Sequence, residues 1–207
     1  MPRSSIVGTV RRPNLSRAVR MLIREIAATL PEFEHVRSER ILVVSGEARR
    51  ASRATIRPMR FSVGQRTSSG GRRKPKVTFR GRDILYVLTL RPLFFRASTA
   101  EQRIETVIHE LFHVSQSFDG TLDPDRRHEA LQKQAFERQL RPLVKRYLAV
   151  CPAPTLARFR ANGEVLVRHW LEKPPGSIRA STKGRRRYDE THTFLGPVRM
   201  ITKKTRH

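Results

Sequence analysis

The sequence has little cysteine and no long apolar run. Cys151 is the one cysteine among 207 residues, which excludes an intramolecular disulfide and a zinc ribbon built on four cysteines, and fits a reducing compartment. No apolar stretch approaches the roughly 18 residues that a membrane-spanning helix needs. We therefore expect a soluble, cytoplasmic protein without membrane contact.

Acidic residues are scarce in two of three segments. Residues 1–100 hold 22 basic and 6 acidic residues, residues 101–150 hold 8 of each, and residues 151–207 hold 13 and 4. Two basic flanks around a neutral middle attract polyanions in a salt-dependent way, and nucleic acid is the abundant polyanion of a cell. The charge predicts association with nucleic acid, with simple solubility as the alternative explanation.

Apolar periodicity predicts an α+β protein. Helical spacing of apolar residues over 14–30 predicts an amphipathic helix that Pro31 ends. A further helix is expected over residues 126–150. Short runs of branched residues predict strands of one sheet, at 41–44, 55–63, 77–79 and 84–90.

Residues 107–120, VIHELFHVSQSFDG, begin inside a predicted helix and end in an expected turn at FDG, residues 118–120. Ser98 with Glu101 three places later is a capping-box arrangement, which predicts that this helix begins near Thr99. Helical spacing then predicts a buried stripe. It consists of Ile104, Val107, Ile108, Leu111 and Val114.

HELFH carries the chemistry of this helix. His109 and His113 are one helical turn apart, so their imidazoles can converge on one metal ion. In H-E-x-x-H sites the glutamate activates the zinc-bound water and passes its proton to the leaving amine. We predict His109 and His113 as zinc ligands and Glu110 as the catalytic base. The competing interpretation is a helix with surface histidines and a solvated glutamate.

A third metal ligand is required, and the sequence offers a choice. A longer H-E-x-x-H-x-x-G-x-x-H motif would have glycine at 116 and histidine at 119, where this chain has Gln116 and Asp119. His128, at the start of the next predicted helix, is the preferred ligand because it supplies a third imidazole. Asp119, Glu129 and Glu137 remain as carboxylate alternatives.

The segment IHELFHVSQSFDG, followed by RRHEALQKQAFER, resembles the phage-type metallopeptidases and, more distantly, the SprT-like minimal zincins. The resemblance covers residues 40–150. It implies a zincin-like fold, in which a small mixed or antiparallel sheet packs on the active-site helix and its neighbours. It also implies that His109, His113 and His128 bind zinc, and that Glu110 is the base. SprT-like proteins often carry a cysteine zinc ribbon, which this chain cannot build.

The resemblance also predicts where substrate and intermediate bind. In a zincin the edge strand of the sheet binds extended peptide, and we expect residues 84–90 to do so here. The tetrahedral intermediate would be held by zinc and one more donor. The candidates for that donor are Tyr86, Tyr147, His169 and Tyr188.

Together these predictions define two parts of the chain. Residues 1–150 form the metallopeptidase domain, including the basic helix 14–30, and residues 151–207 form a basic C-terminal extension of short strands. The predicted function is a zinc-dependent endopeptidase acting on protein or peptide. Two alternatives stay open: a nucleic-acid-binding protein with a structural or vestigial zinc site, and a zinc hydrolase of a non-peptide substrate.

Overall fold

The computed structural model describes residues 12–46, 53–126, 133–160, 162–184 and 186–201. The helices in these ranges are α1 (Leu15–Thr29), α2 (Pro92–Ala97), α3 (Ala100–Phe112), α4 (Lys133–Val150) and α5 (Ala153–Arg160). The strands are β1 (Ile41–Ser45), β2 (Ala54–Pro58), β3 (Arg72–Arg73), β4 (Lys76–Phe79), β5 (Arg82–Asp83), β6 (Tyr86–Leu90), β7 (Gly163–Trp170), β8 (Ile178–Arg179), β9 (Arg187–Tyr188) and β10 (Thr193–Met200). The predicted α+β class is confirmed.

A mixed three-stranded sheet, in the order β1-β6-β2, lies at the centre. Strand β6 runs parallel to β1 and antiparallel to β2. The prediction that residues 84–90 form the edge strand is therefore wrong, because β6 is hydrogen-bonded on both sides. Its apolar sequence YVLTL is typical of a strand covered on both faces. The edge strand that contacts α3 is β2.

The four predicted strands do not belong to one sheet. Strand β4 lies in a separate sheet of order β5-β4-β9, where it pairs antiparallel with β5 and parallel with β9. The β4–β5 turn contains Arg80 at φ 52° and Gly81 at φ 72°, backbone values that reverse the chain within two residues. A local sequence pattern predicts that β4 is a strand. It cannot predict that β4 pairs with β9, which lies about a hundred residues further along the chain.

Helices α1 and α3 form as their apolar spacing predicts. The side chain of Asn14 caps α1 by accepting from Arg17 N at 2.9 Å. The cap of α3 lies one residue beyond the predicted one: Thr99 Oγ1 accepts from Gln102 N at 3.2 Å, and Gln102 Oε1 accepts from Thr99 N at 3.0 Å. Ser98 instead ends α2.

The segment after residue 150 packs on the same core as the segment before it. Strands β7 and β10 pair antiparallel along their whole length. Leu166 N donates to Pro13 O at 2.8 Å, next to the start of α1. The buried side chains that this segment adds to the main core are Phe159, Val165, Val167 and Met200. The domain boundary at residue 150 stays a prediction.

No helix among the described residues is both long and apolar enough to cross a bilayer.

Candidate active site

The last turn of α3 carries the two histidines and the glutamate. The stripe beneath them is fully buried, since Ile104, Val107, Ile108 and Leu111 are all 0% exposed. This packing fixes the rotation of the helix about its axis. His109 and Glu110 lie inside the helix, and His113 is its C-cap residue.

The Nε2 atoms of His109 and His113 approach each other, with the two ring planes inclined at 75°. Their Nε2 atoms lie 3.4 Å apart. Two imidazole nitrogens bound tetrahedrally to one zinc ion at about 2.0–2.1 Å would be roughly 3.3 Å apart. The observed separation therefore fits a shared zinc ion.

A backbone carbonyl sets the tautomer of His113. His113 Nδ1 lies 2.6 Å from Arg126 O. A carbonyl oxygen only accepts, so Nδ1 carries the hydrogen and Nε2 keeps its lone pair in the neutral ring. Arg126 is itself held by an ion pair to Asp123 at 3.4 Å and by its guanidinium 4.3 Å above the ring of Phe112.

Helix α4 supplies an aromatic wall to the histidine pair. The Phe136 ring lies 4.9 Å from the His109 ring and 5.1 Å from the His113 ring, centroid to centroid. Phe136 is 3% exposed, so both rings are restrained by a packed side chain. The sequence alone does not identify Phe136 as a site residue, because an aromatic residue at helical spacing does not reveal which ring it will contact.

Glu110 lies between α3 and the edge strand β2. It is 7% exposed. Burial raises the pKa of Glu110 to about 7, and a hydrogen bond from the Ile56 amide and the charge of Arg91 oppose that rise. Ile56 belongs to β2, and Arg91 follows β6. A carboxyl group whose pKa lies near neutral pH is suited to act as a general base.

A pocket of about 610 Å³ opens beside the histidine pair. This volume is within the roughly 300–1,000 Å³ that is usual for ligand sites. Its lining comes from Arg53, which directly precedes β2, and from α3 and α4. The lining residues are Arg53, Glu105, His109, Phe136, Glu137, Leu140, Arg141 and Val144.

A family model described as "Putative phage metallopeptidase" matches residues 10–145. The matched residues cover α1, the central sheet, α3 and most of α4. The chain belongs to this phage metallopeptidase family. The resemblance to phage-type metallopeptidases is thereby confirmed. No curated protein and no solved structure gave a match. Membership of the phage metallopeptidase family supports hydrolysis of peptide bonds with a metal cofactor as the general activity.

The third metal ligand stays a prediction. His128 and Glu129 lie outside the described residues. Glu137 lines the same pocket as His109 and lies 3.8 Å from Arg141. Asp119 accepts instead from Thr121 N at 3.0 Å and from Thr121 Oγ1 at 2.7 Å. Within the described ranges, no three His, Cys, Asp or Glu side chains form a group able to hold a metal ion.

The four candidates for the second oxyanion donor do not line the pocket beside His109. Tyr86 is fully buried, and its hydroxyl donates to Thr121 O at 2.7 Å. The hydroxyl of Tyr147 lies 3.3 Å from the carboxylate of Glu25. Tyr188 belongs to a second apolar cluster, and His169 stacks on Phe194. The prediction that one of them holds the intermediate therefore has no support from their positions.

Proposed function

We propose that this chain is a zinc-dependent endopeptidase in which His109 and His113 bind the metal and Glu110 is the general base. The observation that carries the proposal is the 3.4 Å separation of the two Nε2 atoms, which fits tetrahedral zinc. Family membership supports metallopeptidase activity in general. The assignment of zinc and of these residues is our own.

The chemistry follows from what surrounds each group. A bound zinc ion would lower the pKa of its water towards about 7 and polarise the substrate carbonyl. Glu110 accepts a proton from the attacking water and returns it to the leaving nitrogen. Because Glu110 is 7% exposed, bulk water competes little for this transfer. The Arg126 carbonyl keeps the hydrogen of His113 on Nδ1, so that Nε2 stays a ligand.

For the third ligand we propose His128. It follows Arg126 by two residues in the sequence, and the Arg126 carbonyl contacts the His113 ring at 2.6 Å. A third imidazole would complete a ligand set that zinc prefers.

We propose that an extended peptide binds along β2. This strand is an edge of the central sheet, and its Ile56 amide donates to Glu110. Arg53 directly precedes β2 and lines the pocket beside His109. A peptide on this edge would bring its scissile bond to Glu110 and one side chain to the pocket, whose apolar walls are Phe136, Leu140 and Val144.

The test is the substitution Glu110→Gln. It removes the base and keeps the shape of the side chain, so casein cleavage should fall by about 10²–10⁴ while zinc content stays at the parent level. Glu101→Gln is the matched control, since Glu101 lies in the first turn of the same helix and pairs with Arg160 at the surface. Cleavage by Glu110→Gln at the parent rate would refute the mechanism.

We also propose that the basic segments associate with nucleic acid. The net charge of +25 favours this association. The same charge favours a second candidate function, a nucleic-acid-binding protein with a structural zinc site. That function predicts tight binding to DNA or RNA with no peptide cleavage by the zinc-loaded parent, so the casein assay separates the two.

A further inference from the structure

A second pocket lies on the β1 side of the molecule. Its volume is about 240 Å³, and it is bordered by α1, β1, the β4–β5 turn and β7. This is below the roughly 300–1,000 Å³ of most small-molecule sites, so it suits a compact group. Four arginines line it, and we call it the arginine pocket. They are Arg17, Arg20, Arg80 and Arg168.

Three separate parts of the fold bring these arginines together. Arg17 and Arg20 are three residues apart on α1 and so share a face of the helix. Arg80 is at the β4–β5 turn, where its backbone N–H donates to the Glu190 carboxylate at 3.2 Å. Arg168 is on β7, with its guanidinium 4.5 Å above the Phe79 ring.

The four arginines outnumber the carboxylates around them, since Glu190 acts on Arg168 and Glu39 lies in the lining. Among the described residues, none of the four arginines forms an ion pair with a carboxylate side chain. Burial lowers the pKa of Arg20, and so do the charges of Arg80, Arg24, Arg17 and Arg82. Arginine stays charged at neutral pH despite such shifts, so the repulsion persists until an anion enters.

We propose that the arginine pocket binds phosphate groups of a nucleic-acid backbone. Guanidinium groups match the geometry of phosphate oxygens and form charge-assisted hydrogen bonds with them. Positive charge continues beyond the pocket at the exposed Arg24 and Arg82. A nucleic-acid backbone carries successive phosphates and needs such an extended basic surface, whereas a single free phosphate does not. The proposal rests on the proposed association with nucleic acid and gives it a location.

This location is separate from the candidate active site. The arginine pocket and the pocket beside His109 share no lining residue. Strands β1 and β2 are the two opposite edges of the central sheet. Binding of nucleic acid would therefore leave the histidine pair open to a peptide.

The test measures binding of fluorescently labelled DNA, single-stranded and duplex, to the full chain by anisotropy from 50 to 200 mM KCl. The variant Arg17→Gln/Arg80→Gln removes two exposed charges from the pocket. We expect binding at least about tenfold weaker, and a slope of log affinity against log salt that is less steep by nearly 2, because each lost phosphate contact removes about 0.9.

Arg138→Gln/Arg158→Gln is the matched control. It removes the same charge from exposed positions on α4 and α5 that do not line the arginine pocket, so the slope should stay at the parent value. Circular dichroism verifies folding, and the single variant Arg17→Gln replaces the double variant if that one unfolds. If both double variants weakened DNA binding equally, or if neither did, the arginine pocket would not be the binding site. A parent that binds no DNA would overturn the association as well, whereas casein cleavage tests the peptidase proposal separately.

Discussion

The histidine pair and the arginine pocket lie at opposite edges of one small sheet and are built in opposite ways. The imidazoles of His109 and His113 pack on Phe136, and the Arg126 carbonyl fixes one of them. Arg17 and Arg80 are exposed. A metal site needs lone pairs with fixed directions, which packing provides, whereas a polyanion site needs charge density and tolerates mobile side chains.

The largest expected effect is a loss of zinc binding with no loss of DNA binding. His109→Ala removes one of the two facing nitrogens, so we expect zinc content after desalting to fall to background. DNA affinity should change less than about twofold, because His109 is remote from the arginine pocket and its loss removes no arginine charge. Metal analysis and anisotropy on the same preparation measure both.

His169→Ala provides the control for that experiment. His169 is also partly buried and stacks on an aromatic ring, that of Phe194, but no other histidine of the described residues stacks on it. It should keep the zinc of the parent. A joint loss of zinc and DNA binding in His109→Ala would show that the two regions are coupled, contrary to the comparison.

A smaller effect tests the packing that distinguishes the histidine region. Phe136→Ala leaves a cavity under both imidazoles and should lower the free energy of unfolding by about 3 kcal/mol. Phe194→Ala, at a position 44% exposed, should cost less than about 1 kcal/mol. Urea unfolding with a chelator present measures both without a contribution from metal. Similar losses in the two variants would mean that Phe136 does not hold the site.

The smallest effect concerns Asp83, in strand β5. Asp83 pairs with Lys76 and Arg66, both at 3.0 Å. Burial acts to raise the pKa of Asp83, but hydrogen bonds from Lys76 and Arg66 outweigh it and leave the pKa below its ordinary value. Asp83→Asn should therefore lower the free energy of unfolding by about 1 kcal/mol at pH 7.

The sign of the pH dependence follows from that lowered pKa. The stabilisation by Asp83 is complete above the pKa of the unfolded chain, about 3.9, and is lost as pH falls through the lower pKa of the folded state. The difference in unfolding free energy between Asp83→Asn and the parent should shrink accordingly below about pH 4. The control is Asp125→Asn, an exposed position, where we expect less than about 0.5 kcal/mol. A difference for Asp83→Asn that is constant with pH would mean that charge is not its cause.

The sequence predicted the helices and strands that depend on interactions between residues close together in the chain. The apolar stripe of α3 lies where helical spacing places it, and α1 begins and ends within one residue of the predicted range 14–30. Strands also appear after residue 150, as expected, and β7 and β10 are the longest of them. The α3 cap moved by one residue because Ser98 and Thr99 both offer a hydroxyl and the preceding helix α2 ends at Ser98.

Partners distant in sequence could not be predicted. Strand β6 is central because it pairs with both β1 and β2. The sequence pattern of a strand does not predict which other strand it pairs with. Contacts of the candidate site have the same origin: the Arg126 carbonyl and Phe136 approach α3 through the tertiary fold. The HELFH spacing predicts two facing nitrogens because both histidines lie on one helix, whereas the third ligand must come from another segment and stays a prediction.

The hydrogen bond between Leu166 and Pro13 has a consequence for biosynthesis. The ribosome makes the first helix early, but the strand that covers it emerges about 150 residues later. At roughly 5–20 residues per second, this delay is on the order of 10–30 seconds. Throughout that interval this strand leaves part of the apolar face of the nascent helix uncovered.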